Sequence, residues 1–523
     1  MKGSLAVRRM NKLKRFMAIL CLFGIIFISA CETTDQDIAS TPILISPSGK
    51  IYDSTPVYRW HAFSGATQYQ IQVLEGELRI FNKVLESEKA CEGDVCSFSP
   101  SATMNLDQHQ WRVRAFVNEE WHAYSEYISF NYAADKLVLE QHAYNLEDCI
   151  YSWWTYPLAK RYVHLRDKTY IGYTDSEGFS GVASIDNDSG QIVKTRLYKN
   201  SSADDHNAVA VDVLPDGRII AAYSGGHIKT SRMYVRISSK PENIEEFEEP
   251  IVIEAGKATT YAQMLQKSGK IWLFFRTGRE QESSWSYSVS ADGLTWSEPV
   301  EIVAGEMQYY LKVMDTIDSD LFRLVMYSNP NAGDTNIRLG FFDTETGELK
   351  RADGTVLGTT QVSKDLFPVI IANEEGQNCR LLDVAVTESA RTVVSYAVFN
   401  GASDAEYRVG IYSDRLVVLP VVSAGDAFYT KSVYVGGMVF GEDEHDVYLS
   451  REEAGRWLIE AYHTDDMQSF TKTQSVFRSE LGLVAIRPII ERGGNKLIWQ
   501  EGTYNPESYS DFQTDLQYIQ LEN

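Results

Sequence analysis

From residue 134 onward the chain repeats one unit: a turn, then a short apolar run rich in aromatic residues. Its copies are "DKTYIGYTD" from Asp167, "DGRIIAAYSG" from Asp216, "SGKIWLFFRTG" from Ser268, "SDLFRLVMYS" from Ser319, "ARTVVSYAVF" from Ala390, "EHDVYLSRE" from Glu444 and "GNKLIWQEG" from Gly494. Runs of this length bounded by turn residues read as strands, and no amphipathic helical period competes. Most copies stand about 50 residues apart, the spacing of propeller blades, and seven copies lie within the usual number of blades. The long gap between the copies at Ser319 and Ala390 holds an insertion around "DTETGELKRADGTVLG". The last run, "DLQYIQLE", is placed to pair into the first blade and remove a free sheet edge.

Before residue 134 the pattern changes. "TPVYRWHAFSGATQYQIQVLE" and "HQWRVRAFVNEEWHAYSEYISFNY" alternate apolar and polar residues strictly, as half-buried strands do. With Trp60 and Trp111 as core residues, 40–133 resembles a fibronectin type III-like β-sandwich and reads as a spacer rather than a glycan-binding module. The expected fold is thus all-β: a small sandwich over 40–133, then a seven-bladed β-propeller over 134–523. "SADGLTW", Ser290 to Trp296, resembles an Asp-box, the turn motif of sialidase-like propellers, and "TDDMQSF", Thr464 to Phe470, is its degenerate copy. In such a turn the Asp side chain caps the backbone and the aromatic ring packs between strands, a structural role.

The N-terminus reads as a targeting segment. Lys2, Arg8, Arg9, Lys12, Lys14 and Arg15 precede the apolar stretch Phe16 to Ser29, which is too short for a good membrane span. "ISAC", ending at Cys31, resembles a bacterial lipoprotein signal. That implies a leader over 1–30, a lipid on Cys31, a polar tether over 31–39 and, with Glu32 next, anchoring in the outer membrane. Cys91 and Cys96 are spaced to close a small disulfide loop in an oxidising compartment, leaving Cys149 and Cys379.

Charge narrows the partners. Six of the 49 Lys and Arg lie in the leader, against 72 Asp and Glu overall, so the mature chain is more acidic than the formal −23. Nucleic acid is excluded as a natural partner. An anionic substrate requires local cations. The 30 Tyr, 22 Phe and 10 Trp suit both strands and sugar-facing surfaces. A monomer is expected.

Hairpin arithmetic brings such a cluster together. Residues equidistant from an antiparallel turn lie side by side. His206 and His227 flank the Pro215-Asp216-Gly217 turn, and Tyr261 and Arg276 flank Ser268-Gly269. Tyr309, Tyr310 and Lys312 enter the next blade on the same side, and later blades supply Arg380 and Arg487. Elimination across a uronic acid needs a cation at the carboxylate, a base for the α proton and an acid for the leaving oxygen. Arg276 suits the first, His206 and Tyr261 the other two. A glycosidase more often needs a close pair of carboxylates, which the sequence neighbours Asp204 and Asp205 do not form across a substrate.

"DDHNAVAVDVLPDGRIIAAYSGGH", "TTYAQMLQKSGKIWLFFRTG", "YYLKV", "RADGT", "LLDVAV" and "VYLSRE" resemble the BNR-repeat propeller family that contains the ulvan lyases, over about 140–510. The resemblance implies β-elimination between a sulfated rhamnose and a uronic acid. It puts the catalytic His on His206, the second site His on His227, the catalytic Tyr on Tyr261 and the carboxylate-neutralising Arg on Arg276. The substrate-contacting Tyr falls on Tyr309 or Tyr310. The chemistry needs no cofactor; a structural divalent metal is implied, with Cys379, Asp383 and His445 as candidate ligands. Three other readings compete: an α-L-rhamnosidase on the same propeller, a sialidase, which lacks a "FRIP"-type motif and an evident arginine triad here, and a non-catalytic glycan-binding lipoprotein.

Overall fold

The computed structural model describes residues 41–521 apart from short internal stretches, the longest being 133–143 and 151–161. The leader and the whole tether with Cys31 lie outside the described residues.

Two sheets occupy 44–132. In the strand Asp107–Val117, His109, Trp111, Val113 and Ala115 are buried while Arg112 and Arg114 face outward, so strict alternation yields one covered face. Trp60 and Trp111 are both fully buried in the shared core, and the Trp111 indole N–H donates to the Pro47 carbonyl at 2.9 Å. Cys91 and Cys96 are disulfide-bonded.

Seven further sheets follow in chain order, over 162–199, 210–254, 259–305, 309–371, 378–425, 437–478 and 484–520. These are the blades. Each of the seven repeated runs forms the second strand of its blade, namely Lys168–Thr174, Ile219–Ser224, Lys270–Thr277, Leu321–Ser328, Thr392–Phe399, Asp446–Glu453 and Lys496–Tyr504. Neighbouring blades cover both faces of these strands. Ile219–Ser224 and Thr392–Phe399 are buried along their whole length, which is why they read as unbroken apolar runs. The large buried clusters each join adjacent blades, so the core is a set of inter-blade layers around the ring.

Ring closure differs from the expectation. The last strand, Phe512–Gln520, stays beside Lys496–Tyr504 in blade seven. The short early strand Tyr144–Leu146 crosses to it, pairing Tyr144 with Tyr518 and Leu146 with Leu516. Blade seven is therefore built from both ends of the propeller chain, and its inner strand Val484–Glu491 lies against Tyr162–Leu165 of blade one. The long gap in the repeat is structured. Leu349–Lys350 and Val356–Gly358 extend blade four, and Val362–Ser363 pairs in parallel with Val300–Gly305 of blade three as a strap.

Both Asp-box turns are present. The Asp292 carboxylate accepts from the backbone N–H groups of Leu294 and Thr295 at 2.9 and 2.8 Å, and the Trp296 indole donates to Gly293 O. In the degenerate copy, Asp466 accepts from Gln468 N at 2.9 Å and Phe470 is buried.

Candidate active site

His206 and His227 lie just outside the paired strands Ala210–Val213 and Ile219–Ser224, in the two loops that leave the hairpin at one rim. Their rings stack in parallel, with centroids 4.0 Å apart and planes 3° from parallel. Asn207 helps fix the second loop, its side-chain oxygen accepting from His227 N at 2.9 Å.

Tyr261 and Arg276 come from blade three. Their register departs from simple hairpin arithmetic: Arg276 is laddered to Thr260, and a bulge between Thr260 and Gln263 leaves Tyr261 out of the ladder with φ of 60°. A left-handed non-glycine residue stores roughly 1–3 kcal/mol of strain and typically marks a functional position. The bulge sends the phenol toward the histidines, with ring centroids 6.1 Å from His206 and 5.9 Å from His227. The Arg276 guanidinium lies 4.7 Å from the Tyr261 ring centre, and its Nη2 is 3.5 Å from His227 Nε2. The Tyr261 hydroxyl and Arg276 Nε and Nη1 are buried without a hydrogen-bond partner among the described residues. Buried donors of this kind are expensive unless a ligand meets them.

The structure separates the two tyrosines of blade four. Tyr309 is buried in the inter-sheet core, where its hydroxyl donates to Val303 O at 2.8 Å. Tyr310 faces the site, 6.0 Å from Tyr261 and 5.0 Å from Tyr327 between ring centres. Lys312, two residues along the same strand, shares its face. Arg380 and Arg487, from blades five and seven, lie 3.5 and 5.2 Å from the Tyr434 ring centre. Arg487 sits at another bulge with φ of 60°.

The metal expectation does not fit these residues. Asp383 accepts from Phe440 N, Cys379 is buried in a core cluster and His445 faces Asp443 at the surface, so the three do not form a ligand set. Among the described residues, Asp204, His206 and His227 alone group ligand atoms within 4.8 Å of one another. There His206 Nδ1 is already enclosed by carboxylate oxygens of Asp204 at 2.6 Å and Asp205 at 2.7 Å, and no metal is assigned to it.

The sequence reading missed what surrounds His206. Its Nδ1–H bonds to Asp204, while Asp205 adds charge from the other side and accepts the Tyr504 hydroxyl at 2.6 Å. The neighbouring acids in "DDH" were visible, but Tyr504 lies 299 residues from Asp205 and carried no local signal. Burial works against charge on His206, yet Asp205 and Asp204 outweigh it and push its pKa up to about 9. Burial and then the His206 charge push His227 down to about 3. Burial also opposes ionisation of Asp204, but the hydrogen bond from His206 and the His227 ring 3.8 Å away hold it well below the usual carboxylate range. Complete burial raises Tyr261 well above an ordinary phenol. At neutral pH the stack thus holds one charged and one neutral ring, beside a protonated phenol and a guanidinium.

Seven four-stranded or larger sheets arranged as a closed ring, with a polar cluster at one rim, define a β-propeller with a candidate active site. The BNR repeat-containing family model matches residues 168–462, more than half of the chain, and the chain belongs to that family. No curated protein matches it. Among solved structures, an ulvan lyase of the polysaccharide lyase family PL25, bound to -[GlcA(1-4)Rha3S]-, has a TM-score of 0.55 at 15% identity, covering 72% of this chain and 94% of its own. A second structure of a PL25 ulvan lyase gives the same score and identity over 95% of its length. Polysaccharide lyase Uly1 is similar at a TM-score of 0.49 and 13% identity, over 73% of this chain and 99% of its own. At these identities the likeness concerns the fold.

Proposed function

We propose that the protein is a polysaccharide lyase that cleaves a uronate-containing polysaccharide by β-elimination, with sulfated rhamnose–uronate polymers of the ulvan type as its substrate class. One observation carries this reading: a buried guanidinium with open donors sits against a phenol and two stacked imidazoles. A carboxylate held by Arg276 gains negative charge as the α proton leaves, so the guanidinium stabilises the enolate-like transition state more than the ground state.

The electrostatics divides the remaining work. His227 is neutral and carries a lone pair able to accept the α proton. His206 and Tyr261 both carry protons, one of which passes to the departing oxygen. The electron pair of the broken C–H bond becomes the new C=C bond, the C–O bond at the β carbon breaks, and water restores the protonation states afterwards. A glycosidase reading meets no pair of opposed carboxylates in Asp204 and Asp205, which both turn toward His206. Within the same proposal, Cys31 bears the lipid that anchors the chain to the outer membrane, 40–133 acts as a spacer and the protein is a monomer.

The test is incubation with ulvan and other uronate polysaccharides while following absorbance in the unsaturated-uronate band. New reducing ends without that absorbance would replace the lyase reading with a hydrolase.

A further inference from the structure

His206 is enclosed by groups from three blades. Asp204 and Asp205 precede it in the same loop, His227 stacks on it from the next loop, Tyr261 faces it from blade three with Arg276 behind, and Tyr504 reaches Asp205 from blade seven. Two carboxylates converge on the single Nδ1 atom. Only one of them can take the N–H, and Asp204 takes it. Asp205 is fully buried, and its Oδ1 lies 2.7 Å from that nitrogen without a hydrogen bond of its own. With a neutral ring, the fully buried Asp205 carboxylate and the half-buried Asp204 carboxylate would meet as two anions at one nitrogen, an arrangement that low local polarity makes unfavourable. A charged ring removes the conflict. Burial raises the Asp205 carboxyl above its ordinary value, against the pull of His206 and of the Tyr504 hydroxyl, so that hydroxyl helps keep Asp205 ionised.

We propose that Asp205 and Tyr504 are positioning residues that hold His206 as a lasting imidazolium, so that it donates through Nε2 while the stacked His227 stays neutral. Both side chains are buried. Asp205 supplies the second counter-charge, and Tyr504 fixes and solvates that carboxylate from the blade that closes the ring. This deepens the lyase reading, since it makes His206 a proton donor rather than a base, and it rests on that reading for its catalytic meaning. The state of the ring does not.

The test uses the full chain labelled with 15N-histidine, read by NMR as a function of pH without substrate. In the wild type the His206 ring should stay doubly protonated through neutral pH while His227 stays neutral. Asp205→Asn should lower the His206 titration by about one to three pH units and let His227 take up its proton more readily. Tyr504→Phe keeps the ring volume and removes only the hydroxyl. It should weaken the imidazolium signal at neutral pH while the chain still folds, with Tm lowered because the buried carboxylate loses that hydrogen bond, which guards against a folding defect in the first variant. A wild-type His206 that is neutral at pH 7, or variants whose histidine spectra match the wild type, would overturn the proposal. Absence of an unsaturated product with the expected histidine spectra would instead count against the lyase reading alone.

Discussion

Replacing Tyr261 by Phe separates a functional hydroxyl from a structural one, because stability and activity are expected to move in opposite directions. The hydroxyl is buried and has no hydrogen-bond partner among the described residues. Leaving such a group unsatisfied costs about 1–3 kcal/mol, so its removal relieves a penalty. The ring remains, with its contacts to Arg276, His206 and Tyr310. Tyr261→Phe should therefore be at least as stable as the wild type, by up to about 1 kcal/mol after the hydroxyl's lost dispersion contacts are allowed for. If the hydroxyl moves a proton in the reaction, kcat should fall ~10²–10⁴-fold. Tyr309→Phe is the internal control. Its hydroxyl donates to Val303 O at 2.8 Å, so deleting it should cost about 1 kcal/mol and leave kcat unchanged. Urea denaturation and initial rates on one uronate polysaccharide read both quantities. A Tyr261→Phe protein that loses stability as Tyr309→Phe does and keeps its turnover would show that the hydroxyl is structural.

Three further outcomes are expected. Arg276→Ala should lower kcat more than it raises KM, and Arg276→Lys should restore only part of the rate, because an ammonium cannot make the planar two-point contact; full rescue by Lys in steady-state kinetics would refute bidentate binding. His206, raised to about 9 from an ordinary 6.5, gives stability that is complete below the ordinary value and is lost as pH rises through about 9; denaturant unfolding at about pH 6 and about pH 10 should show that loss, and His206→Gln should shrink it. Trp111→Ala should cost about 3–5 kcal/mol within the N-terminal sandwich, yet leave turnover on soluble substrate intact if 40–133 is a spacer; parallel losses of folding and rate would give that module a part in the reaction.

The second strands of the blades were legible because both their faces are buried, so that each reads as an uninterrupted apolar run. Outer strands such as Ile192–Lys199, with one buried residue, carry almost no such pattern. The pairing of the two histidines followed from hairpin symmetry, which survives a short loop. The Tyr261–Arg276 register did not follow, since a bulge shifts it by a residue and leaves no mark in the pattern of polar and apolar positions. Tyr309 and Tyr310 were inseparable in sequence; alternation alone puts one inward and one outward without saying which. Tyr504, Tyr434 and the convergence of Asp204 and Asp205 on one nitrogen depend on contacts between distant blades. The direction of ring closure was also hidden, because Tyr144–Leu146 is only three residues long.

That closing strand also sets an order of events during synthesis. Tyr144–Leu146 emerges early but has no sheet to join until Phe512–Gln520 has been made, and the hydrogen bond from Asn145 to Asp515 spans 370 residues. Domains otherwise tend to fold from the N-terminus as the chain lengthens. Here the ring stays open until Phe512–Gln520 is in place. Blade seven also delivers Tyr504 to Asp205, and through it to His206. An unfinished chain thus lacks both its clasp and the final hydrogen bond around the histidine, so that completion of the ring and arming of the site are a single step.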